Sequence, residues 1–258
     1  MATACFKGKV ILITGASSGI GAGTAKHFAA LGAKLALIAR NEAKLNEIAA
    51  DCRAAGAEDV FVSPHDLGIA EECVKAVENT VSHFGGLDVF VNSAGILVNG
   101  DTATGSLEDY DRCMNINTRS AFILSQAVIP HLIKTKGNMV HISSVCGLRA
   151  FPGVLAYSMS KAAVDQLVRT CALELAAQGV RVNAVNPGVI VTEIHKNAGM
   201  NDVAYAAFLE KGKRTHALGR VGTVEEVAHA VAFLASNESA FITGATLPID
   251  GGRNIMSV

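Results

Sequence analysis

The sequence lacks any cluster of metal-binding side chains. Its cysteines are scattered, with no Cys-x-x-Cys pair and no group of cysteines and histidines at metal-ligand spacing. They are Cys5, Cys52, Cys73, Cys113, Cys146 and Cys171. A zinc site needs several such ligands close together, so we expect no metal site and exclude a zinc-dependent enzyme. The cysteines are interpreted as reduced and mostly structural.

An excess of basic residues is also missing. The chain has 22 lysines and arginines against 23 acidic residues, which gives a formal net charge of -1 at pH 7. Neither a net positive charge nor a long basic block is available to neutralise phosphate groups. Nucleic acid is therefore excluded as the expected partner.

Long hydrophobic runs are absent as well. The apolar runs, such as residues 10–13 and 35–39, have the length of strands and fall far short of the roughly 20 residues that span a membrane. We therefore expect no transmembrane segment and no membrane partner. Too few residues precede the first strand-like run for a targeting peptide, and residues 254–258 match no retention or peroxisomal signal. The cytoplasm is the expected location.

The sequence does contain a regular alternation of short β-branched runs and longer amphipathic stretches, up to about residue 190. This pattern is typical of βαβ units and predicts one α/β domain with a parallel sheet. Strands are predicted near 9–14, 34–39, 59–63, 87–91, 138–143, 180–186 and 245–249. Helices are predicted near 19–31, 41–55, 69–84, 106–135 (one helix or two), 156–178 and 223–236. No repeat or Pro/Ser-rich linker marks a domain boundary within residues 1–258.

The segment near residues 190–220 breaks the alternation. It is rich in Gly, Asn, Lys and His, with a weak helical stretch at 203–211, and we predict a mobile lid there. After it, Thr223 followed three residues later by Glu226 predicts a capping box at the start of a helix.

A glycine-rich turn joins the first predicted strand to the first helix. Residues 14–21 read Thr-Gly-Ala-Ser-Ser-Gly-Ile-Gly, and glycines there let the backbone approach a pyrophosphate at the positive end of the helix. A glycine turn alone is equally consistent with a turn that binds nothing. The βαβ pattern that follows favours a bound dinucleotide.

Further motifs occur in order along the chain: Gly-x-x-x-Gly-x-Gly from Gly15, Asn-Ser-Ala-Gly at 92–95, Tyr-x-x-x-Lys at 157–161 and Asn-Pro-Gly at 186–188. With these motifs, almost the whole chain resembles the short-chain dehydrogenase/reductase family, most of all its single-domain, oxoacyl-reductase-like branch. The resemblance implies a Rossmann-type doubly wound sheet of about seven strands, a nicotinamide cofactor and a homotetramer. Ser93 departs from the family, which more often has a second Asn there.

The resemblance also implies which residues bind the cofactor. Asp66 and Leu67 would hold the adenine, although Asp66 alone is equally a helix cap, and Asn92 would brace the turn at Thr14. The full set is Gly15, Ser17, Ser18, Gly19, Ile20, Gly21, Arg40, Asn41, Asp66, Leu67, Asn92, Ala94, Gly95, Tyr157, Lys161, Pro187, Gly188, Ile190 and Thr192.

Tyr157 and Lys161 are four residues apart in a predicted helix, so they share one face. The lysine cation, helped by the positive charge of an oxidised nicotinamide, is expected to lower the tyrosine pKa and make it a proton donor and acceptor for a carbonyl and its alcohol. By the resemblance, Ser144 hydrogen-bonds the substrate oxygen and Asn117, rather than Asn115, holds a water that connects Lys161 to solvent. Taken singly, each is more readily interpreted as a structural residue, and the set together favours an intact active site.

The substrate pocket is predicted to be largely apolar. The resemblance puts Ser144, Cys146, Leu148, Phe151 and Tyr157 at the substrate, with Leu97, Val154 and part of 190–215 nearby. Such walls suit a small or medium hydrophobic ketone, aldehyde or secondary alcohol. An acyl-carrier-protein thioester is an alternative substrate.

The end of the second strand bears on the cofactor. NAD-binding folds place an acidic residue there for the ribose hydroxyls, whereas this chain has Ala39 followed by Arg40. Arg40, with Ser17 and Asn41, is expected to accept the extra phosphate of NADP(H), and NAD(H) is the alternative. The competing functions are an NAD-dependent alcohol or hydroxysteroid dehydrogenase and an inactive scaffold, the latter disfavoured by the intact Asn, Ser, Tyr and Lys set.

Overall fold

The centre of the molecule is a seven-stranded parallel sheet in the order β3-β2-β1-β4-β5-β6-β7, in a computed structural model that describes residues 6–257. The strands are β1 Val10–Thr14, β2 Lys34–Ala39, β3 Asp59–Pro64, β4 Val89–Asn92, β5 Asn138–Ile142, β6 Arg181–Pro187 and β7 Thr246–Ile249. Each lies within two residues of its predicted position. The predicted Rossmann-type fold is confirmed.

Helices cover both faces of the sheet. They are α1 Gly19–Ala30, α2 Glu42–Ala55, α3 Ala70–Phe84, α4 Leu107–Met114, α5 Ser120–Thr135, α6 Val145–Leu148, α7 Leu155–Leu175, α8 Ile194–Asn197, α9 Asp202–Thr215 and α10 Val224–Ala235. The stretch predicted as one helix or two is α4 and α5, joined by a π turn at Asn115–Arg119. The capping box at the start of α10 is present.

Alternate residues of β1 pack into two different cores. Ile11 and Ile13 lie with Phe28 of α1 in one core, whereas Leu12 lies with Leu124 of α5 in the other. All five are completely buried, and each such side chain contributes about 1.5–3 kcal/mol. Burial on both faces explains why the strands are continuous apolar runs rather than alternating ones.

The strand order reverses beside β1, which pairs with β2 on one side and β4 on the other. In open parallel sheets, ligands bind outside the carboxyl ends of the strands at such a reversal. Thr14 and Asn92, the last residues of β1 and β4, lie there as paired neighbours. The sheet therefore opens a crevice where the glycine turn begins.

The segment at 190–220 is more regular than its sequence indicates. The predicted weak helix at 203–211 is the fourteen-residue α9, preceded by the short α8. Asn201 is the N-cap residue of α9, and its side chain accepts a hydrogen bond from the Ala204 N–H (2.9 Å). Tyr205 is buried, and its hydroxyl donates to the Thr192 carbonyl (2.9 Å). This tyrosine ties α9 to the chain that leaves β6, a contact that no local pattern predicted.

The described residues, 6–257, also bear on membranes, metals and disulfides. In that range no helix is both long enough and apolar enough to cross a membrane, and no group of His, Cys, Asp or Glu side chains is arranged to hold a metal ion. The five cysteines in that range are free thiols. Cys5 lies outside the described residues.

Candidate active site

A cleft of about 800 Å³ runs along the carboxyl ends of the strands. Nearly all residues predicted to bind cofactor or substrate line it. The exceptions are Asn92 and Asn117, which lie behind its wall, and Leu148. The cleft is large enough for a dinucleotide together with a small substrate.

The glycine turn forms one wall of the cleft by close backbone packing. A Cβ atom on Gly21 would lie 2.3 Å from the Gly15 carbonyl oxygen, and one on Gly15 would lie 2.9 Å from the backbone of Ser93. No side chain caps the N-terminus of α1 at Ser18, so its first N–H groups face the cleft. Free N–H groups at a helix N-terminus suit a pyrophosphate, and this cradle fits a dinucleotide.

Asn92 acts on the cleft through Thr14. The Thr14 hydroxyl donates to Asn92 Oδ1 (2.9 Å) and accepts from the backbone N–H groups of Ser93 and Ala94 (3.0 and 3.1 Å). Asn92 and Thr14 are both buried. This network ties the glycine turn to the chain that leaves β4, and Ser93 takes part only through its backbone.

The rim of the cleft carries exposed cations beside Ala39. Arg40 and Lys44 both line it, and neither forms an ion pair with another residue of 6–257. Asn41 also lines the cleft, and its Oδ1 accepts from the Lys44 N–H (3.0 Å) and caps α2. The motifs did not single out Lys44.

Asp66 shapes the chain that follows β3. Its Oδ1 accepts from the Gly68 N–H (2.9 Å), and Gly68 in turn accepts at its carbonyl from Asn115 Nδ2 (2.9 Å). Asp66 and Leu67 line the same end of the cleft as Arg40. Asn115, the rejected alternative to Asn117, thus supports this loop.

Tyr157 and Ser144 face the cleft from different elements. Tyr157 lies in the first turn of α7, and Ser144 caps α6 by accepting from the Cys146 N–H (3.1 Å). Burial raises the pKa of Tyr157 above its usual value, and the Ser144 hydroxyl partly offsets that rise. In the chain alone, loss of solvent around the phenol therefore decides the direction of this pKa, so the expected lowering would depend on the added positive charge of an oxidised nicotinamide.

Lys161 is buried beside the tyrosine. Its Nζ atom lies 5.7 Å from the centre of the Tyr157 ring and donates to the Ile142 carbonyl (2.9 Å). Burial lowers the pKa of Lys161 to about 8. The side chain is thus largely cationic at neutral pH, with ammonium protons left over for a partner in the cleft.

Asn117 lies in the π turn and holds two segments together. Its Oδ1 accepts from the Ile96 N–H (2.8 Å), and its Nδ2 donates to the Ile96 carbonyl (2.9 Å) and to Ser160 Oγ (3.0 Å). A Cβ on Gly95 would lie 3.2 Å from Asn117 Oδ1 and 3.5 Å from Lys161 Nζ. The amide therefore reaches the surroundings of Lys161 from behind Gly95.

A buried carboxylate supports the Ser144 backbone. Asn186 Nδ2 donates to the Ser144 carbonyl (2.9 Å) and to both oxygens of Asp165 (3.1 Å). Asp165 follows Lys161 by one helical turn, and burial raises its pKa. A Cβ on Gly147 would lie 2.3 Å from Asp165 Oδ2. Asp165 and Gly147 are positioning residues that the motifs did not reveal.

Most of the residues predicted to surround the substrate line the cleft. Leu97, Cys146, Phe151 and Val154 line the cleft. Leu148 does not, and its side chain is 37% exposed. It ends the four-residue helix α6, and the orientation of so short a helix could not be deduced from sequence. The placement of Leu148 at the substrate is therefore corrected.

The same wall includes residues with no preceding motif. His195 packs on Phe208 with ring centres 4.3 Å apart, and both line the cleft with Lys211, Thr215 and Arg253. They come from α8, α9 and the turn after β7. Only the fold brings them together, and apart from their place in an irregular segment no local signal identifies them.

His216 fixes the loop that follows β6. The Val189 N–H donates to His216 Nε2 (3.1 Å), and Nδ1 lies 2.7 Å from the Gly212 carbonyl, which can only accept. His216 is therefore neutral with its proton on Nδ1, and burial lowers its pKa. A Cβ on Gly188 would lie 2.9 Å from Nε2, which accounts for glycine there.

Comparisons with known proteins agree with this geometry. The family model described as enoyl-(acyl carrier protein) reductase matches residues 15–254. A 2,5-dichloro-2,5-cyclohexadiene-1,4-diol dehydrogenase of Sphingobium indicum is 36% identical, over 96% of this chain and 97% of that protein. A 3-oxoacyl-(acyl-carrier-protein) reductase of Thermotoga maritima is 37% identical, over 95% and 98%.

A solved structure extends the likeness to three dimensions. It is a short-chain dehydrogenase/reductase of unknown function from Caenorhabditis elegans, determined with cofactor, and its TM-score is 0.91 at 32% identity. The alignment covers 98% of this chain and 97% of that one. With the family model and these relatives aligned over nearly their full lengths, the chain belongs to the short-chain dehydrogenase/reductase family.

Proposed function

We propose that the protein is an NADP(H)-dependent oxidoreductase that interconverts a carbonyl and an alcohol, with Tyr157 as the general acid and base. The observation that carries this proposal is the meeting of Tyr157, Ser144 and Lys161 at one end of a cleft whose other wall is the glycine turn. Nicotinamide cofactors are used throughout the family, and the relatives named above are reductases or dehydrogenases.

The roles of the side chains follow from their positions. A nicotinamide bound at this end of the cleft supplies or takes up the hydride. Ser144 donates a hydrogen bond to the substrate oxygen and stabilises the charge that develops there. Tyr157 donates its proton to that oxygen in the direction of reduction. Lys161 binds the ribose beside it and stabilises the phenolate that remains after proton transfer.

The two directions of the reaction need Tyr157 in different protonation states. Reduction begins with the phenol, which is the usual state of a tyrosine at neutral pH. Oxidation of an alcohol needs the phenolate instead. Burial raises the pKa of Tyr157, so an additional positive charge in the cleft would have to stabilise that anion.

The preference for NADP(H) rests on the rim of the cleft. Ala39 lines it without offering a carboxylate, and Arg40 and Lys44 offer two cations. The absence of a carboxylate at the end of β2 removes one source of repulsion of the extra phosphate, and a guanidinium matches phosphate oxygens well. An NAD-dependent dehydrogenase is the alternative that this rim disfavours.

The substrate is proposed to have an apolar body, because Leu97, Cys146, Phe151 and Val154 form much of the inner wall. A 3-oxoacyl thioester is a second candidate, favoured by the reductase of Thermotoga maritima among the relatives. The two candidates differ in the group attached beyond the carbonyl, and the chemistry at the carbonyl is the same for both.

A panel of carbonyls and alcohols, assayed with NADPH, NADH and their oxidised forms, tests the proposal. It should contain neutral ketones and aldehydes, an acetoacetyl thioester and a 2-enoyl thioester. We expect carbonyl reduction with NADPH favoured over NADH by at least about tenfold in kcat/KM, or ~1.4 kcal/mol. Equal use of NADH would refute the cofactor assignment, and turnover of the enoyl compound alone would refute the carbonyl assignment.

We also propose a cytoplasmic homotetramer. Large apolar side chains are exposed on the outer helices and after α10, including Phe122 (49%), Leu173 (82%) and Phe241 (105%). We propose that side chains such as these form the interfaces between subunits. Light scattering coupled to size exclusion should give four times the chain mass, and a monomer at micromolar concentration would contradict this.

A further inference from the structure

Arg253 places a positive charge at the substrate end of the cleft. It begins the 3-10 turn Arg253–Ile255 after β7, and its side chain lines the cleft. One Nη1 proton is donated to the Thr215 hydroxyl at the end of α9. Among residues 6–257, Nε and Nη2 have no hydrogen-bond acceptor and no carboxylate forms an ion pair with this guanidinium.

The acidic groups near Arg253 are engaged elsewhere. The Asp250 carboxylate accepts from the Gly252 and Asn254 N–H groups (3.0 and 2.7 Å). Glu193, which also lines the cleft, lies 3.7 Å from Lys196 Nζ. The guanidinium is thus not half of an internal ion pair, although its partly buried position makes an unpaired charge costly.

The guanidinium is held in a fixed place. Its Cζ atom lies 4.9 Å from the centre of the Phe151 ring, a distance at which a cation is attracted to the ring face. Arg149 Nη1 donates to the backbone carbonyls of Arg253 and Asn254 (3.2 and 3.3 Å), which fixes the turn. With Thr215 holding Nη1, the opposite edge of the guanidinium is left as a preorganised pair of donors.

We propose that Arg253 binds a carboxylate at the far end of the substrate, so that the physiological substrate is an oxo acid and its product a hydroxy acid. The proposal rests on the carbonyl activity proposed above. The Nε and Nη2 donors match the two oxygens of a carboxylate. Cys146 and Phe151 lie in the same wall as Tyr157 and suit a short hydrocarbon spacer. Lys211, one helical turn before Thr215, lines the cleft and adds positive charge.

The test compares matched pairs of ketones. Each pair has a methyl ketone at one end and, after a methylene chain of varied length, either a carboxylate or the isosteric carboxamide. With NADPH, we expect wild-type kcat/KM to favour the acid by at least about tenfold at the best length, or ~1.4 kcal/mol. Arg253→Gln should bring the acid-to-amide ratio close to one, and Arg253→Lys, which keeps the charge without the fork, should give an intermediate ratio.

The matched control is Arg214→Gln. Arg214 lies on the exposed side of α9 and does not line the cleft, so its removal should leave the acid-to-amide ratio unchanged. Equal ratios in wild type and Arg253→Gln, or a wild type that prefers the amide at every length, would overturn the inference. If Arg253→Gln fails to fold, Arg253→Lys takes its place, and an acid-to-amide ratio unchanged from wild type in that variant would equally overturn the inference.

A binding measurement separates this inference from the proposed activity. Hexanoate and hexanamide are titrated calorimetrically into the protein with NADPH present. Tighter binding of hexanoate by at least about tenfold, lost in Arg253→Gln, supports the carboxylate subsite without any turnover. If that preference is found but no carbonyl is reduced, the proposed activity fails and the subsite stands. Equal binding of both compounds contradicts the subsite, whatever the activity.

Discussion

The two ends of the cofactor cleft hold their positive charges in opposite ways. At the reacting end Lys161 is only 6% exposed, and a backbone carbonyl holds its ammonium group. At the outer rim Arg40 and Lys44 are exposed. Solvent and salt screen exposed charges strongly and buried charges weakly. Changes at the reacting end should therefore cost orders of magnitude in rate, and changes at the rim should mainly alter the choice of cofactor.

The largest effect is expected for Tyr157→Phe, which removes only the hydroxyl that transfers a proton. We expect kcat/KM for carbonyl reduction to fall at least about a hundredfold, or ~2.7 kcal/mol in the barrier, while the affinity for NADPH measured by fluorescence titration changes little. Tyr110→Phe is the matched control, because Tyr110 lies on α4 away from the cleft. More than a tenth of wild-type activity in Tyr157→Phe would rule out the assignment of this tyrosine.

A smaller but more diagnostic effect is expected in the dependence of kcat/KM on pH, through the buried Lys161. The pKa of Lys161 is about 8, so the ammonium group is lost as the pH rises through that value. If the cation stabilises the transition state, kcat/KM for reduction should fall above about pH 8. In Lys161→Arg the guanidinium stays charged, so the falling limb should be absent, whatever the overall rate.

The dependence of protein stability on pH gives a second test of the lowered pKa of Lys161. Its pKa in the folded protein lies below the ~10.4 of an unfolded lysine, so the folded state binds fewer protons between these values. The unfolding free energy should therefore gain a contribution from Lys161 as the pH rises from about 8 to 10. A falling activity limb that persists in Lys161→Arg would assign the limb to another group.

The same contrast explains what the sequence could predict. The glycine turn and the Tyr157 and Lys161 pair are local patterns, so spacing and the family resemblance placed them in the cleft. Lys211 and Arg253 line the same cleft, but they reach it from α9 and from the turn after β7, far from Tyr157 in the chain. Their place in the site depends on tertiary packing, which the spacing of residues along the sequence does not reveal.

Two differences from expectation have physical reasons of the same kind. The pKa of Tyr157 in the chain alone is set mainly by how much protein surrounds the phenol, which no count of neighbouring cations includes. Leu148 was placed at the substrate because its neighbours Cys146 and Phe151 belong there. A helix of one turn directs successive side chains to different sides, so closeness in sequence did not ensure closeness to the cleft.

At the rim, Ala39→Asp combined with Arg40→Ile should exchange the cofactor preference. The new carboxylate would repel the NADP phosphate and accept hydrogen bonds from the ribose hydroxyls of NAD. We expect the ratio of kcat/KM with NADPH to that with NADH to drop from at least about ten to below one, a change of ~1.4 kcal/mol or more. A ratio that stays above one would show that residues other than those at the end of β2 recognise the phosphate.

The smallest effect is expected for Lys44→Gln. The variant keeps the backbone N–H that Asn41 caps, so α2 should begin as before and only an exposed charge is lost. Exposed charge interactions contribute roughly 0.2–1 kcal/mol, so the NADPH-to-NADH ratio of kcat/KM should fall about threefold. Added salt should narrow the wild-type ratio and reduce the difference between the two proteins. Lys7→Gln, an exposed change outside the cleft, should leave the ratio as it is. A Lys44→Gln protein that loses activity equally with both cofactors would show that Lys44 supports α2 and does not contact phosphate.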